Sequence, residues 1–266
     1  MSRIDQAFKK IKGKGQALLI PFVVAGDPDL AATETLVRKM GQAGADIIEL
    51  GVPYSDPLAD GPIIQAASLR ALHRGVNLKS VLNLAKNCRE ETVPLVIMTY
   101  YNPVYHYGLR AFAGECREGG VAGVIIPDLP PEEAGPWIQE ARKVEVDTIF
   151  LTAPTSSTER IHQVSRVSRG YIYHVSVTGV TGVRGDLSAD LEPAVRRIKE
   201  ISDKPVAVGF GISTPEQAKE VSRFADGIIV GSAIVKIVEE ALGEKDMIQR
   251  VETFIASLAA ARGRVS

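Results

Sequence analysis

Eight short, continuously apolar, β-branched runs punctuate the chain, and their number and spacing limit its fold more than any other feature. They occupy residues 18–24, 47–50, 95–99, 123–126, 148–151, 171–175, 206–208 and 228–230. Each gives way to a Gly, Pro or Asp cluster and then to an amphipathic stretch. Runs that are apolar throughout, rather than alternating, suit parallel strands covered on both faces. Helical patterns fill the intervals at 30–42, 66–72, 78–88, 109–118, 132–143, 158–167, 191–201 and 215–222, and 247–261 closes the chain. Gly44 and the Gly119-Gly120 pair follow two of these as C-terminal stops. Strict β-then-α alternation implies right-handed crossovers and a parallel sheet. Eight units favour closure into a (β/α)8 TIM barrel over an open doubly wound sheet.

The 266 residues fit one such barrel, and no linker or low-complexity tract divides them, so 1–266 is expected to form a single domain. Residues 1–10 read as a short amphipathic helix ahead of the first strand, not as a signal peptide. Lys plus Arg total 31 against 32 Asp plus Glu, a net charge of −1 that leaves no footprint for nucleic acid or an anionic membrane. No apolar run reaches the length of a membrane span. Cys88 and Cys116 are the only cysteines and lack metal-ligand spacing, which argues against a disulfide scaffold or a zinc site. A cytoplasmic protein with two buried or half-buried thiols and no metal is expected.

In a closed β/α barrel the chemistry lies at the C-terminal ends of the strands, and phosphate often sits after strands seven and eight. Here strand seven runs into Gly209-Phe210-Gly211-Ile212-Ser213 and the helix opening Thr214-Pro215-Glu216, while strand eight runs into Gly231-Ser232-Ala233-Ile234. Glycines let backbone N–H groups approach an anion, and a helix N-terminus adds unpaired donors. Either motif alone is ordinary turn chemistry; the two on adjacent strands point to a phosphate cradle. A third Gly-rich stretch, residues 178–185, follows strand six and reads as a lid.

Carboxylates supply the candidate chemistry. Glu49 interrupts an apolar strand at the end that opens into the barrel mouth, where desolvation raises a carboxyl towards acid–base use. Asp56 and Asp60 lie in a proline-stiffened loop, residues 53–62; Asp60 is placed to face Glu49, so one acid shuttles a proton and the other remains anionic. Asp128 ends strand four on the same rim. His73, His106, His162 and His174 show no convergent spacing and read as packed or solvated.

These residues are specific enough to resemble a known family. The runs Phe22-Val23-Val24-Ala25-Gly26-Asp27-Pro28, Glu49 to Gln65, Met98-Thr99-Tyr100-Tyr101-Asn102-Pro103, Gly179-Val180-Thr181-Gly182, Gly209 to Ser213 and Gly231 to Lys236 closely resemble the tryptophan synthase alpha chain family, in order and across nearly the whole chain. The resemblance implies retro-aldol cleavage of indole-3-glycerol phosphate to indole and glyceraldehyde 3-phosphate. It implies Glu49 as the proton donor to indole C3 and Asp60 as the anion beside the indole N–H. Phe22, Ile64, Tyr100 and Leu129 are then expected as apolar walls, with Tyr173 orienting the glycerol portion or Glu49. Thr181, Gly182, Gly211, Ile212, Gly231 and Ser232 complete the expected substrate contacts. No cofactor is implied for this chain; pyridoxal phosphate is expected in a beta-chain partner within an alpha2beta2 complex. The loops after strands two, three and four are rich in proline and aromatics (Pro53-Tyr54, Asn102-Pro103-Val104-Tyr105, Pro127 to Pro131), which suits docking of that partner. A stand-alone lyase would share every site residue. A sugar-phosphate isomerase would want a metal, Lys or His at the mouth, and a non-catalytic regulatory subunit would not need both acids.

Overall fold

The computed structural model describes residues 1–12, 16–89, 93–175, 187–209 and 211–263. Its eight strands are β1 (Leu18–Val24), β2 (Ile48–Gly51), β3 (Leu95–Met98), β4 (Val121–Ile125), β5 (Asp147–Thr152), β6 (Ile172–Val175), β7 (Val206–Gly209) and β8 (Gly227–Val230). All pair in parallel in chain order, and β8 returns to β1 through Leu18↔Gly227 to Pro21↔Val230, closing the expected barrel. Each predicted run lies within two residues of a strand.

The helices among the described residues are α1 (Arg3–Lys12), α2 (Leu30–Gln42), α3 (Pro62–His73), α4 (Leu78–Asn87), α5 (Tyr101–Tyr107), α6 (Leu109–Glu118), α7 (Gly135–Lys143), α8 (Thr158–Val167), α9 (Leu187–Ile201), α10 (Pro215–Val221), α11 (Ser232–Glu240) and α12 (Met247–Ala261). Three of these depart from the sequence reading. Residues 102–105, taken for loop, belong to α5; Pro103 is tolerated there because the first-turn N–H groups have no intrahelical acceptor. The segment after Gly231 continues into α11 although its Ile, Val and Ile residues favour strands, because Ile234, Val235 and Val238 bury one face against the barrel. Helix α3 starts at Pro62 rather than Ala66, since proline's fixed φ suits the first helical turn.

Strand alternation sorts the side chains into two cores. Leu18, Ile20, Ile47, Val96, Ile149, Tyr171 and Ile229 fill the barrel interior, and Ile4, Phe8 and Ile11 of α1 plug its lower end. Leu19, Ile48, Leu50, Ile97, Val208 and Ile228 point outward beneath the helical ring. Both cysteines are buried and neither forms a disulfide.

The lower seam between β1 and β2 is tied by a side chain. Asp46 Oδ2 accepts the backbone N–H of Leu19 at 2.9 Å and also pairs with Arg262, just beyond α12, so one carboxylate holds the start of the sheet and the end of the chain. Arg262 is 8% exposed, so removing its partner strands a desolvated charge and an amide together. Asp46→Ala should therefore destabilise the fold by about 3–5 kcal/mol, read from the urea midpoint at constant m-value.

Candidate active site

Glu49 enters the barrel because β2 alternates. Ile48 and Leu50 face the helices, leaving Glu49 turned inward, in register with Phe22 on one side and Val96 on the other. It is fully buried, and neither carboxyl oxygen has a hydrogen-bond partner. A carboxylate that loses its water and gains no donor is costly, so the proton is retained. Burial, with a further push from the negative charge of Asp60, raises the Glu49 pKa from 4.5 to about 8.

Asp60 sits in a different environment. It is half-buried immediately before the N-cap of α3, and the Tyr100 hydroxyl donates to its Oδ2 at 3.0 Å. That hydroxyl in turn accepts the Ala59 N–H at 3.0 Å, and the Tyr54 ring stacks on Tyr100 with centroids 4.9 Å apart. Burial pushes the Asp60 carboxyl upward, while the hydrogen bond from Tyr100 pulls it back by stabilising the anion. Two acids held in such unlike surroundings are suited to unlike tasks.

Both acids open on one cavity of about 280 Å³ at the C-terminal mouth of the barrel. It gathers nine of the residues expected from the sequence: Phe22, Glu49, Asp60, Ile64, Tyr173, Gly211, Ile212, Gly231 and Ser232. Ser213 and Ala233 of the two cradle motifs line it too, as do Met98 and Ile229, for which the sequence suggests no role. Met98 and Ile229 follow by alternation, lying two residues from the inward Val96 and from Gly231. Tyr100 adjoins the cavity as the donor to Asp60. Leu129 is buried in the outer core and is not among the lining residues. Thr181, Gly182 and the expected lid at 178–185 lie outside the described residues. A larger hollow of about 510 Å³ opens at the opposite end, beside α1 and the starts of β1 and β7. It contains neither acid and lies at the end of a barrel that serves stability.

Small residues make room for the cavity's aromatic walls. A Cβ at Gly51 would lie 2.5 Å from the Phe22 ring, and one at Gly209 would lie 2.3 Å from the Tyr173 hydroxyl. On the same cavity, Gly231 is the N-cap of α11 and no side chain caps that end, leaving its first N–H groups as donors beside Ser232 and Ala233. The neighbouring turn bears Gly211 and leads to α10, whose N-cap Thr214 accepts the Gln217 N–H at 3.3 Å. Neither Lys nor Arg appears among the described lining residues, so an anion here would meet backbone dipoles and a hydroxyl.

Of the remaining rim residues, Asp128 accepts the Tyr101 N–H at 2.8 Å and thereby fixes the start of α5. His174 is buried outside the cavity with Nδ1 3.1 Å from Thr152 Oγ1, and burial lowers its pKa to about 4. No group of His, Cys, Asp and Glu able to hold a metal occurs among the described residues.

A family model described as tryptophan synthase alpha chain matches residues 8–262. The chain belongs to the tryptophan synthase alpha chain family. Among its relatives, the alpha chain of Geobacter sulfurreducens is 48% identical over 264 residues, covering 99% of this chain and 100% of its own. That of a Thermoanaerobacter species is 46% identical over 259 residues, covering 97% and 98%. Among solved structures, tryptophan synthase subunit alpha from Legionella pneumophila superposes with a TM-score of 0.92 at 38% identity, covering 98% of each chain. A Mycobacterium tuberculosis tryptophan synthase structure gives 0.91 at 38% identity, covering 100% of this chain and 99% of its own. A stand-alone lyase is not favoured by these matches, all of them alpha chains or tryptophan synthases.

The buried acid has a thermodynamic signature. The folded alpha chain keeps the Glu49 proton to about pH 8, whereas the unfolded chain releases it near 4.5. Between those values the folded state binds more protons, so stability falls as pH rises, at up to about 1.4 kcal/mol per pH unit. Urea titrations of Glu49→Gln and parent should therefore diverge in the variant's favour from pH 5 to pH 8. A difference independent of pH would show that Glu49 is not held protonated.

Proposed function

We propose that Glu49 and Asp60 together cleave indole-3-glycerol phosphate in this cavity, with the phosphate held at the N-terminus of α11 and the indole among Phe22, Ile64 and Met98. The enzyme is a carbon–carbon lyase of tryptophan biosynthesis, as its family membership indicates. The observation that carries the assignment of roles is the pairing of a buried, unpartnered carboxyl with an uncapped helix end across one small cavity.

The bond to be broken joins indole C3 to a carbinol carbon, and its electrons need a sink. Neutral Glu49 donates its proton to C3, which converts the ring to an indolenine cation. The resulting carboxylate takes the carbinol O–H proton. The C–C electron pair then returns to the ring, releasing indole and an aldehyde, and Glu49 is again neutral. Asp60 stays anionic through its hydrogen bond from Tyr100 and stabilises the positive charge that appears at the indole N–H. Tyr173 contributes to orienting the glycerol portion.

As an alpha chain, the protein has a beta chain as its counterpart. We read the complex as alpha2beta2, with the pyridoxal phosphate chemistry wholly in the beta chain, which takes up indole at the barrel mouth. Supporting this, Leu58 in the Asp60 loop is 86% exposed and Tyr105 of α5 is 63% exposed, two large apolar side chains next to the catalytic loops. Every strand and helix described joins one barrel, which supports reading 1–266 as a single domain. No helix among the described residues is long and apolar enough to cross a membrane, and two buried thiols outside any disulfide suit a cytoplasmic location.

An indole-release assay with indole-3-glycerol phosphate tests the roles. Glu49→Gln should lose roughly 10²–10⁴-fold in kcat, because one residue serves both proton transfers. Ser232→Leu should weaken phosphorylated ligands while free indole binds as before. Addition of a beta chain should raise the rate of indole formation. Tyr105→Asp should blunt that stimulation and leave basal cleavage at the parent rate; unchanged stimulation would place the docking surface elsewhere.

A further inference from the structure

Arg70 lies outside the cavity, yet its guanidinium joins three elements that each carry part of it. Nε and Nη2 bond both oxygens of Asp27 at 2.8 and 2.9 Å, and Nη1 bonds Glu239 Oε1 at 2.8 Å. Asp27 is 3% exposed and sits in the turn after β1, the strand that bears Phe22. Arg70 itself belongs to α3, which carries Ile64 and begins two residues after Asp60. Glu239 belongs to α11, whose N-terminus holds Gly231 and Ser232. The ring half of the cavity and the phosphate half are thus built on two helices bridged by one side chain.

The geometry suits a spacer. A two-pronged Arg–carboxylate bond fixes direction as well as distance, which a single ammonium does not. An α-helix is stiff and rises about 1.5 Å per residue, so Arg70 stands roughly 9 Å from Ile64, and Glu239 roughly 10 Å from Ser232, along their axes. At those distances a pivot of either helix moves the cavity wall it carries.

We propose that Arg70 is a positioning residue that sets the separation between the ring subsite and the phosphate subsite. The inference rests on the assignment of indole and phosphate to those halves given above. A substrate that spans both halves gains its affinity and its reactive alignment from their mutual distance. A fragment that fills only one half is indifferent to it. This separates a spacing role from a general loss of structure, which would weaken every ligand alike.

The test uses the full chain, with and without a beta chain, and three ligands: free indole, glyceraldehyde 3-phosphate, and an unreactive indole joined to a phosphate by a three-carbon chain. Arg70→Met should weaken the linked ligand about tenfold and reduce kcat/KM to match, while both fragments stay within about twofold of parent. Arg70→Lys should recover part of that loss, because an ammonium can hold one carboxylate. Glu239→Met removes only the arm to α11 and leaves buried Asp27 paired, so it serves where Arg70→Met fails to fold; it should weaken the linked ligand about threefold with the fragments unaffected. Equal losses for linked ligand and fragments, or a linked ligand unaffected in whichever of Arg70→Met and Glu239→Met folds, would overturn the proposal. Failure of the parent to bind the linked ligand more tightly than either fragment would instead sink the underlying subsite assignment.

Discussion

Closure of the parallel sheet is the constraint from which the site follows. Each strand must offer its backbone to two neighbours, and the enclosed space must be filled by side chains from alternate positions, since a void in a dry interior forfeits contacts on every side. The lower layers meet this with Leu18, Ile20, Ile47, Val96 and Ile149, and with α1 as a plug. The top layer does not fill completely. Glycines at 51 and 209 admit the rings of Phe22 and Tyr173 but leave a hollow between them, and that hollow is the cavity. The inward position at the end of β2 is occupied by a carboxyl, so the requirement that every inward residue be buried falls on Glu49.

That placement determines the chemistry. Glu49 is buried as deeply as its aliphatic neighbours but lacks the donors that would let it ionise, so it stays an acid at neutral pH. Asp60 escapes the same fate because it stands on the connection into α3 and not on a strand, and because Tyr100 reaches it. One carboxyl belongs to the barrel wall and the other to a loop over the mouth, and this difference in surroundings is what the proposed division into proton donor and anion rests on, with no lysine among the described lining residues.

Most of this was legible in the chain because a parallel strand covered on both sides has an unmistakable composition, and because a lone Glu in such a strand has few structural excuses. What escaped had local causes. The stretch Tyr101 to Tyr107 has three tyrosines and a proline, offers no apolar repeat at helical spacing, and becomes α5 through the Asp128 carboxylate, a partner brought close only by the fold. Helix α11 carries Ile234, Val235, Ile237 and Val238, residues of strand propensity, and packing on α12, β1 and α3 overrides them. Leu129 was expected against the ring from the family resemblance. The turn after Ile126, where the Leu129 N–H bonds the Ile126 carbonyl at 3.2 Å, sends it into the outer core. The larger hollow beside α1 was invisible because it depends on how α1 seats across the barrel base.

Electrostatics links the two ends of the cavity. A phosphate brought to the end of α11 adds negative charge to a space that already holds Asp60 and offers no cationic side chain among its described walls. Backbone donors and the helix dipole can hold that anion, but they do not neutralise it as an Arg would. The added negative field acts on Glu49 in the same direction as burial and Asp60, towards the protonated form. By reciprocity, a neutral Glu49 makes the cavity more hospitable to phosphate than an ionised one would. Substrate binding and proton loading of the catalytic acid are therefore mutually reinforcing. With the phosphate at the end of α11 as proposed, the lack of an arginine among the described lining residues keeps that coupling strong by leaving the charge of the phosphate unscreened.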